Sequence, residues 1–417
     1  MDCIHIQGGV ALQGKVRIQG SKNAALPVLA ATLLTKETSC IHNCPRIADV
    51  HSMVSLLRSL GCSVVWEDGG VRVNAHEVCR REMPEEAITG MRSSLCLLGA
   101  LIGRCSEVVM EYPGGCVIGE RPIDIHLKAL SSMGVQFTEE ASRLKAVTGG
   151  LHGARIELPF PSVGATENIL LAAVMAEGDT EVIGAAMEPE VAQLCGYLSS
   201  CGADIEGAGT NRLLIHGGKT LYGAEYRIHS DRIVAGTYLF GCIGAGGCVL
   251  LEEAPGDQME AALNVAQQMG GKICVAQEGI YVQAPERPVS VPHIRTAPYP
   301  GFPTDLQSMA LAVMTVGNGQ SLIEEKIFEN RFRVAEGLSK MGARIRLLDE
   351  KRAVVEGVPG LFGAEVEAKE LRGGAALIIG GLMAEGETVI SGCPYIYRGY
   401  ENICKDLREL GARIVSV

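Results

Sequence analysis

The sequence predicts an α/β protein of two domains, each built from three copies of one β/α unit. A short signature, in which Gly follows an apolar or small residue and a β-forming residue comes soon after, recurs about every 70 residues along the 417-residue chain. Such a period is typical of a repeated supersecondary unit. The composition agrees, because 47% hydrophobic residues with 52 Gly and only 4% aromatic residues suit a compact α/β protein with many tight turns.

The repeated signature closes a helix in each unit. Its glycines are Gly61, Gly134, Gly202, Gly270, Gly342 and Gly411. A helical pattern ends at each glycine, as at 50–60 and 402–410, and Gly is the residue that most readily takes the left-handed conformation there. A β-rich stretch follows, as at 212–215 and 281–282.

A second helix in each unit is apolar on nearly all sides, as at 24–34, 95–102 and 375–383, and is therefore expected to be buried. Residues that favour helix starts precede most of these helices. The six predicted starts are 21–23, 92–94, 162–164, 230–232, 304–305 and 371–373. A turn and a short strand follow each helix, in near copies at 177–183 and 385–390.

Six units fill the chain and predict one domain at 21–229 and a second at 1–20 with 230–417. The first 20 residues lie outside the six units and predict two short strands, 3–7 and 15–19. We expect these strands to join the sheet of the C-terminal unit, so that the chain passes between domains near residues 20 and 230.

Charge and cysteine content narrow the class of protein. A net charge of −11 argues against nucleic acid as a partner, because phosphate binding needs a basic surface. The chain opens without the basic and apolar segments of an export signal, and its 15 Cys are an odd number, which favours free thiols in a cytoplasmic protein. The uncharged run 233–251 contains several Gly and predicts a buried helix followed by a strand in preference to a membrane span.

Cations recur at matching places of the repeat. Lys22, Arg92, Arg232 and Arg372 lie at or beside helix starts, and Arg121, Arg331 and Arg398 follow short strands. A single Arg is usually a solvated surface charge. Helix starts, however, carry partial positive charge and unpaired N–H groups that suit phosphate, so the repetition of cations within an acidic protein indicates an anion site.

Three further groups of residues are candidates for a general base, a reactive thiol and a metal site. Asp305 stands where other units place a cation, and is either a helix cap or a general base whose ionised form the cations would favour. Cys116 lies in a Gly-rich segment where Arg121 would stabilise a thiolate. Cys40, His42 and Cys44 would offer three soft ligands on one strand face, but no fourth ligand lies nearby, so a zinc site is disfavoured and no metal is predicted.

Six segments together resemble the enolpyruvyl transferase family along the whole chain. They are Gly-Ser-Lys-Asn-Ala-Ala at 20–25, Gly-Gly-Cys-Val-Ile-Gly at 114–119 with Arg-Pro-Ile-Asp at 121–124, Ser-Val-Gly-Ala-Thr at 162–166, Phe-Pro-Thr-Asp at 302–305, Glu-Asn-Arg-Phe at 329–332 and Tyr-Arg-Gly-Tyr at 397–400. The resemblance implies an inside-out α/β barrel fold, with two domains of three units closing over substrate.

The resemblance also implies a reaction. The 3-hydroxyl of UDP-N-acetylglucosamine adds to C2 of phosphoenolpyruvate, C3 is protonated and phosphate leaves, which is the first committed step of peptidoglycan synthesis. It implies a cytoplasmic enzyme, taken here to be a monomer, with small-molecule substrates, no metal or organic cofactor, and neither nucleic acid nor membrane as a partner.

Roles for individual residues follow from the same likeness. Lys22, Arg121 and Arg398 would hold phosphoenolpyruvate, and Arg331 and Arg372 would complete the cationic site. Cys116 would donate the proton, attack phosphoenolpyruvate covalently and be the target of fosfomycin, while Asp305 would accept the hydroxyl proton. The nucleotide sugar would be held by Asn23, Arg92, Arg121, Pro122, Ile123, Asp124, Ile125, Ser162, Val163, Gly164, Asp305 and Ile327.

Two segments depart from the family pattern, and two other functions stay open. After 329–332 the family usually continues Met-His-Val, whereas this chain has Arg-Val-Ala-Glu-Gly at 333–337, and Gly373-Gly374 replaces a pair that usually begins with Ala. The alternatives are the shikimate-pathway enolpyruvyl transferase, which lacks the Gly-Gly-Cys segment, and a catalytically silent paralogue that binds the nucleotide sugar.

Overall fold

The structure, a computed structural model, describes residues 3–78, 95–111, 123–140 and 143–417. The described residues form two compact units. The middle unit contains those within 20–229, and the terminal unit contains those within 1–19 and 230–417.

Helices of two kinds alternate along the described chain. In order they are α1 Lys22–Ala31, α2 Ala48–Ser59, α3 Cys96–Arg104, α4 Asp124–Ser131, α5 Val163–Ala173, α6 Pro189–Ser200, α7 Arg232–Ala245, α8 Glu260–Gln268, α9 Thr304–Met314, α10 Val334–Lys340, α11 Leu371–Met383, α12 Cys393–Ile396 and α13 Ile403–Glu409. Short 3-10 turns occur at Thr32–Leu34, Gly256–Gln258 and Arg331–Arg333. The odd-numbered helices from α1 to α11 are apolar and buried, and they form the core of each unit.

Short strands surround these buried helices. In chain order they are β1 Ile4–Gln7, β2 Leu12–Arg17, β3 Thr38–His42, β4 Ser63–Glu67, β5 Gly70–Asn74, β6 Glu107–Glu111, β7 Val135–Glu140, β8 Arg143–Thr148, β9 Arg155–Glu157, β10 Asp179–Ile183, β11 Asp204–Glu206, β12 Arg212–His216, β13 Glu225–Arg227, β14 Gly247–Glu252, β15 Lys272–Ala276, β16 Gly279–Gln283, β17 His293–Arg295, β18 Gln320–Glu324, β19 Arg344–Asp349, β20 Arg352–Glu356, β21 Leu361–Phe362, β22 Glu365–Glu367, β23 Ala384–Glu385, β24 Glu387–Ser391 and β25 Arg413–Ser416.

The sheets repeat one topology. In the described residues, the middle unit has sheets of order β13-β3-β5-β4, β6-β8-β7 and β11-β12-β10-β9. The terminal unit has β15-β16-β14-β2, β17-β18-β20-β19 and β22-β24-β1-β25, with a small β21-β23 pair. Each four-stranded sheet contains one parallel pair at an edge and two antiparallel pairs. The predicted repeat of mixed β/α units is therefore confirmed.

The six signature glycines adopt the conformation that the sequence predicted. Their φ angles all lie between 90° and 104°, a range that L side chains rarely adopt. Five of them directly follow the C-cap residue of a helix, and Gly134 comes one residue later. The presence of Gly at this place in each unit thus follows from a backbone requirement at each helix end.

The prediction for the N-terminal strands was right for one strand and wrong for the other. Strand β1 pairs with β24 and β25 in the sheet of the C-terminal unit, as expected. Strand β2 instead lies parallel to β14, with Leu12 opposite Gly247 and Arg17 opposite Glu252.

The exchange of strands at the two crossings between units explains this difference. Around α5, α9 and α11, the strand before the buried helix pairs with the strand after it. Strand β2 precedes α1, which belongs to the other unit, so β2 pairs with the strand that follows α7. Strand β13, which precedes α7, pairs correspondingly with β3, the strand that follows α1.

The apolar run 233–251 forms α7 and β14, joined at Gly246, whose φ is 86°. This confirms the predicted turn between a buried helix and a strand. Among the described residues, every helix falls short of the length and apolar character that a membrane span requires. The cysteines in the described ranges are all free thiols, and most of them are buried.

Candidate active site

The terminal unit contains an ionic cluster, defined here as Asp305, Arg331, Glu370 and Arg372. Asp305 is the second residue of α9, and Arg372 is the second residue of α11. One Asp305 oxygen lies 2.5 Å from Arg331 Nη2, and the other lies 2.9 Å from Arg372 Nη2. Three of the predicted site residues are therefore brought together by the starts of two buried helices and the 3-10 turn at Arg331–Arg333.

Burial makes these pairs stronger than surface ion pairs. Arg331 is 2% exposed and Arg372 is 3% exposed, so neither is the solvated surface charge expected of a single Arg. Burial alone would lower the pKa of Arg372, but Asp305, Tyr400 and Asp231 outweigh it and raise that pKa above its usual value. Arg372 therefore stays charged, and a buried cation of this kind can stabilise negative charge on a bound substrate.

Glu370 is a member of the cluster that the sequence interpretation missed. Its carboxylate caps α11 by accepting hydrogen bonds from the Arg372 N–H at 2.8 Å and from the Gly373 N–H. The same carboxylate lies 3.7 Å from Arg331 Nη1. A carboxylate directly before an apolar helix was the available signal, because Glu370 stands one residue ahead of the predicted start at 371–373.

Asp305 is not a helix cap, so that interpretation of the residue was wrong. The N-cap position of α9 is Pro303, which has no side-chain hydrogen bond to offer, and Asp305 lies inside the first turn. Its two oxygens are instead occupied by the guanidinium groups of Arg331 and Arg372. Asp231, by contrast, does cap its helix, because it accepts from the N–H groups of Ile233 and Val234.

The loop that carries Ile327 is held by a buried carboxylate. Ile327 is half-buried, and its N–H donates to Glu325 Oε1 at 2.7 Å. Arg331, at the end of the same loop, also lies over the Phe328 ring at 5.1 Å. These contacts order the segment between β18 and α10.

The terminal unit contains two other cations that the sequence predicted. Arg232, the first residue of α7, is buried and lies over the Tyr299 ring at 5.6 Å. Arg398 is half-buried in the turn that follows α12. Burial raises the pKa of the neighbouring Tyr400, although Arg372 and Thr237 oppose the rise.

The middle unit holds Lys22 and Asn23 at the start of α1. Ser21 caps this helix by accepting from the Ala24 N–H, as the sequence predicted. Lys22 Nζ lies 3.0 Å from Asp49 Oδ2, and the two side chains are 12% and 6% exposed. Asp49, in the first turn of α2, was missed by the sequence interpretation, since an acidic residue there is also common on ordinary helices.

Ser162, Val163 and Gly164 form the start of α5. Ser162 caps the helix by accepting from the Ala165 N–H at 3.4 Å, as predicted. A Cβ on Gly164 would lie 3.1 Å from His126 Cε1, so this helix start packs closely on the His126 ring. His126 belongs to α4, whose start contains the buried Ile123, the exposed Asp124 and the half-buried Ile125.

A neutral amide cluster, defined here as Gly99, His126 and Asn168, supports that helix start. Asn168 Oδ1 accepts from the Gly99 N–H at 2.6 Å, and its Nδ2 donates to the Leu95 carbonyl at 3.1 Å. Because a backbone N–H only donates and a carbonyl only accepts, the orientation of the Asn168 amide is fixed. Its Nδ2 therefore also donates to His126 Nδ1 at 2.9 Å, so that ring nitrogen carries no proton.

A buried carboxyl lies on the same helix. Burial raises the pKa of Glu167 well above its usual value, and the nearby Glu190 and Glu188 raise it further. The protonated form of Glu167 therefore persists to a higher pH in the folded protein than it does in an exposed carboxyl. The start of α5 thus lies beside a neutral amide cluster, and a carboxyl in its second turn favours the neutral form.

Arg92, Cys116, Arg121 and Pro122 lie outside the described residues, and the roles predicted for them stay predictions. Cys40 and His42 lie on β3 and are half-buried, with Cys44 buried just beyond the strand. The described ranges contain no group of three or more His, Cys, Asp or Glu side chains arranged to hold a metal ion.

Comparison with known proteins identifies the class. Residues 6–407 match the family described as EPSP synthase (3-phosphoshikimate 1-carboxyvinyltransferase). The enolpyruvyl transferase NikO from Streptomyces tendae superposes with a TM-score of 0.89 at 23% identity, covering 100% of this chain and 99% of its own. EPSP synthase from Acinetobacter baumannii gives a TM-score of 0.75 at 21% identity, with both chains fully covered. The chain belongs to the enolpyruvyl transferase family, and the predicted fold class is confirmed.

Relatives of higher identity bear a more particular name. UDP-N-acetylglucosamine 1-carboxyvinyltransferase 2 of Caldanaerobacter subterraneus subsp. tengcongensis is 44% identical over 412 residues, covering 99% of each chain. UDP-N-acetylglucosamine 1-carboxyvinyltransferase of Lawsonia intracellularis is 42% identical over 414 residues, again with 99% coverage of each.

Proposed function

We propose that this enzyme transfers the enolpyruvyl group of phosphoenolpyruvate to the 3-hydroxyl of UDP-N-acetylglucosamine with release of phosphate, the first committed step of peptidoglycan synthesis. The observation that carries the proposal is the full-length identity of 42–44% to relatives named for that activity. The ionic cluster supports it, because two buried guanidinium groups flank one carboxylate at the starts of two helices.

In this proposal Asp305 is the base that accepts the proton of the 3-hydroxyl as its oxygen bonds to C2 of phosphoenolpyruvate. Arg331 and Arg372 hold the carboxylate and offset the negative charge of both substrates. The nucleotide sugar is assigned to Asn23, 123–125, 162–164, Asp305 and Ile327, with Arg92, Arg121 and Pro122 from outside the described residues.

The remaining steps use cations and the thiol. Lys22, Arg121 and Arg398 hold phosphoenolpyruvate, and Cys116 delivers a proton to C3 to give a tetrahedral intermediate. The C2–O bond to phosphate then breaks and C3 loses a proton, which restores the double bond in the product. Cys116 is also assigned the covalent attack on phosphoenolpyruvate and the reaction with fosfomycin.

The shikimate-pathway reaction is the second candidate, because the matching family is described by that activity and EPSP synthase has the same fold. The test is phosphate release from phosphoenolpyruvate with either UDP-N-acetylglucosamine or shikimate 3-phosphate. We expect release only with the nucleotide sugar, and loss of that release in Cys116→Ser. Release only with shikimate 3-phosphate would replace the proposed acceptor. No phosphate release with either acceptor, together with tight binding of the nucleotide sugar, would identify a catalytically silent paralogue that binds the nucleotide sugar.

The proposal also includes the cellular location and the oligomeric state of the enzyme. We expect the enzyme to act in the cytoplasm, where both proposed substrates occur, and to be a monomer. Light scattering after size exclusion would give the mass of the particle, and twice the 44.1 kDa of one chain would contradict the monomer.

A further inference from the structure

Glu325 is a completely buried carboxylate directly after β18. Four neutral donors hold it. They are the Ile327 N–H at 2.7 Å, the Phe328 N–H at 3.2 Å and Thr296 Oγ1 at 2.9 Å, all to Oε1, and Thr304 Oγ1 at 2.9 Å to Oε2. In the described part of the chain no Lys, Arg or His forms a salt bridge with it. A buried carboxylate is costly unless its oxygens are well bonded, so these donors stabilise Glu325 in its place.

The contact with Thr304 connects Glu325 to the ionic cluster. Thr304 Oγ1 carries one hydrogen, which it donates to Glu325 Oε2, since a carboxylate can only accept. Its lone pairs are then available to Arg331 Nε, which donates to it at 3.2 Å. Arg331 Nη2 in turn donates to Asp305 Oδ1 at 2.5 Å.

The direction of each bond in this series is fixed by chemistry. A guanidinium only donates and a carboxylate only accepts, so Thr304 must face Glu325 with its hydrogen and Arg331 with its oxygen. Rotation of the Thr304 hydroxyl toward any other acceptor would weaken the bond to Glu325. Glu325 therefore fixes the orientation of the Thr304 hydroxyl. The Thr304 hydroxyl in turn fixes the position of the Nε edge of the Arg331 guanidinium.

We propose that Glu325 is a positioning residue for the reaction, acting through Thr304 and Arg331 to fix the Asp305 carboxylate. This inference rests on the proposed function, in which Asp305 accepts the proton of the acceptor hydroxyl. Glu325 touches no substrate itself. Because its other oxygen also holds the Ile327 N–H, one carboxylate orders both the base and the loop assigned to the nucleotide sugar.

Two isosteric substitutions separate positioning from structural support. Thr304 and Thr296 each donate to Glu325 at 2.9 Å, but only Thr304 also contacts Arg331. Thr296 additionally accepts from the Lys326 N–H at 2.8 Å, so Thr296→Val removes at least as much structural support as Thr304→Val. Thr296→Val is therefore a strict matched control.

We expect the two valine variants to differ in kcat, and we expect their difference in thermal stability not to account for it. Thr304→Val should lower kcat by about 10- to 100-fold with a smaller change in KM, because slight misplacement of a reacting group is enough for such a loss. Thr304→Ser, which keeps the hydroxyl, should restore most of kcat. Thr296→Val should keep kcat within about 3-fold of wild type, although its melting temperature falls at least as far.

Glu325→Gln gives a second variant at the carboxylate itself. It keeps the size of the side chain, and we expect its kcat loss to be non-additive with that of Thr304→Val, because both changes act on one series of bonds. Equal kcat losses in the two valine variants, or near-normal kcat in Thr304→Val, would overturn the proposal.

Crystal structures of the two valine variants make the test independent of turnover. We expect the separation of Arg331 and Asp305 to change in Thr304→Val and to persist in Thr296→Val. An unchanged separation in Thr304→Val would also overturn the proposal. If wild type released no phosphate with either acceptor, the proposed function would fail, and this structural comparison would still decide whether Glu325 fixes Asp305.

Discussion

Two helix starts that occupy matching places in the repeat are built with opposite chemistry. The start of α9 places Asp305 between two buried guanidinium groups, each of which forms an ion pair with that carboxylate. The start of α5 has a serine cap and packs on a histidine whose Nδ1 only accepts. The comparison shows that the repeat determines where a helix start lies, while one or two side chains determine whether it is charged.

The carboxyl groups of the two regions illustrate the difference. Asp305 is stabilised as an anion by Arg331 and Arg372. Glu167, on α5, is buried near two further carboxyl groups, and its raised pKa favours the protonated form. The same type of group is therefore favoured as an anion in one region and as the neutral acid in the other.

The strongest test of this contrast is Asp305→Asn, which keeps the size of the side chain but removes its charge. We expect kcat to fall by about 10²- to 10⁴-fold, because a general base is lost. Nucleotide-sugar-dependent phosphate release measures the effect, with thermal unfolding as the control for folding. A loss of less than 10-fold would remove Asp305 as the base.

The amide cluster is tested by Asn168→Leu, which fills the same space with no polar atoms. Two buried backbone groups, the Gly99 N–H and the Leu95 carbonyl, lose this partner, so we expect a loss of about 2–4 kcal/mol in the free energy of unfolding. Urea denaturation measures it. A loss under about 1 kcal/mol would mean that water or a shifted neighbour replaces the amide.

Two helix caps allow a direct comparison of the regions. Ser162→Ala should cost about 1 kcal/mol of stability, the ordinary value of a cap. Glu370→Ala should cost more, about 2–3 kcal/mol, because it also removes a carboxylate that faces buried Arg331. Urea denaturation of both variants gives the difference, and equal losses would show that Glu370 acts only as a cap.

The last test, Glu167→Gln, measures how stability changes with pH and not a loss at one pH. The folded protein raises the pKa of Glu167 above 4.5, so over the interval above that value it binds a proton that the unfolded chain has released. Stability therefore falls as pH rises through this interval. Gln has no proton to release, so the stability of the variant relative to wild type should increase with pH, as urea midpoints at several pH values would show. A constant difference would contradict the shift.

Much of the fold could be predicted because it depends on local rules. The positive φ of the six glycines and the caps at Ser21, Ser162 and Asp231 each follow from the chemistry of one residue in its place. The position of β2 could not be predicted in this way, because it depends on which strands remain unpaired where the chain changes units.

The site residues that could be predicted are those at matching positions of the repeated unit. Arg372 and Lys22 stand at helix starts, and their positions could be found by matching units. Asp49 contacts Lys22 across 27 residues, and Glu325 contacts Thr304 across 21 residues. Contacts of this kind leave no local pattern in the sequence. Pairing partners are therefore the part of a site that a single sequence conceals.

The closeness of Glu370 and Gly373 constrains how this protein can change over evolutionary time. A Cβ at position 373 would lie 2.7 Å from Glu370 Oε1, so an alanine there would require the end of the Glu370 side chain to move. The same carboxylate caps α11 and faces Arg331, so this movement would reach both contacts. Substitutions at the two positions are therefore expected to be coupled, and the effect of one should depend on which residue occupies the other.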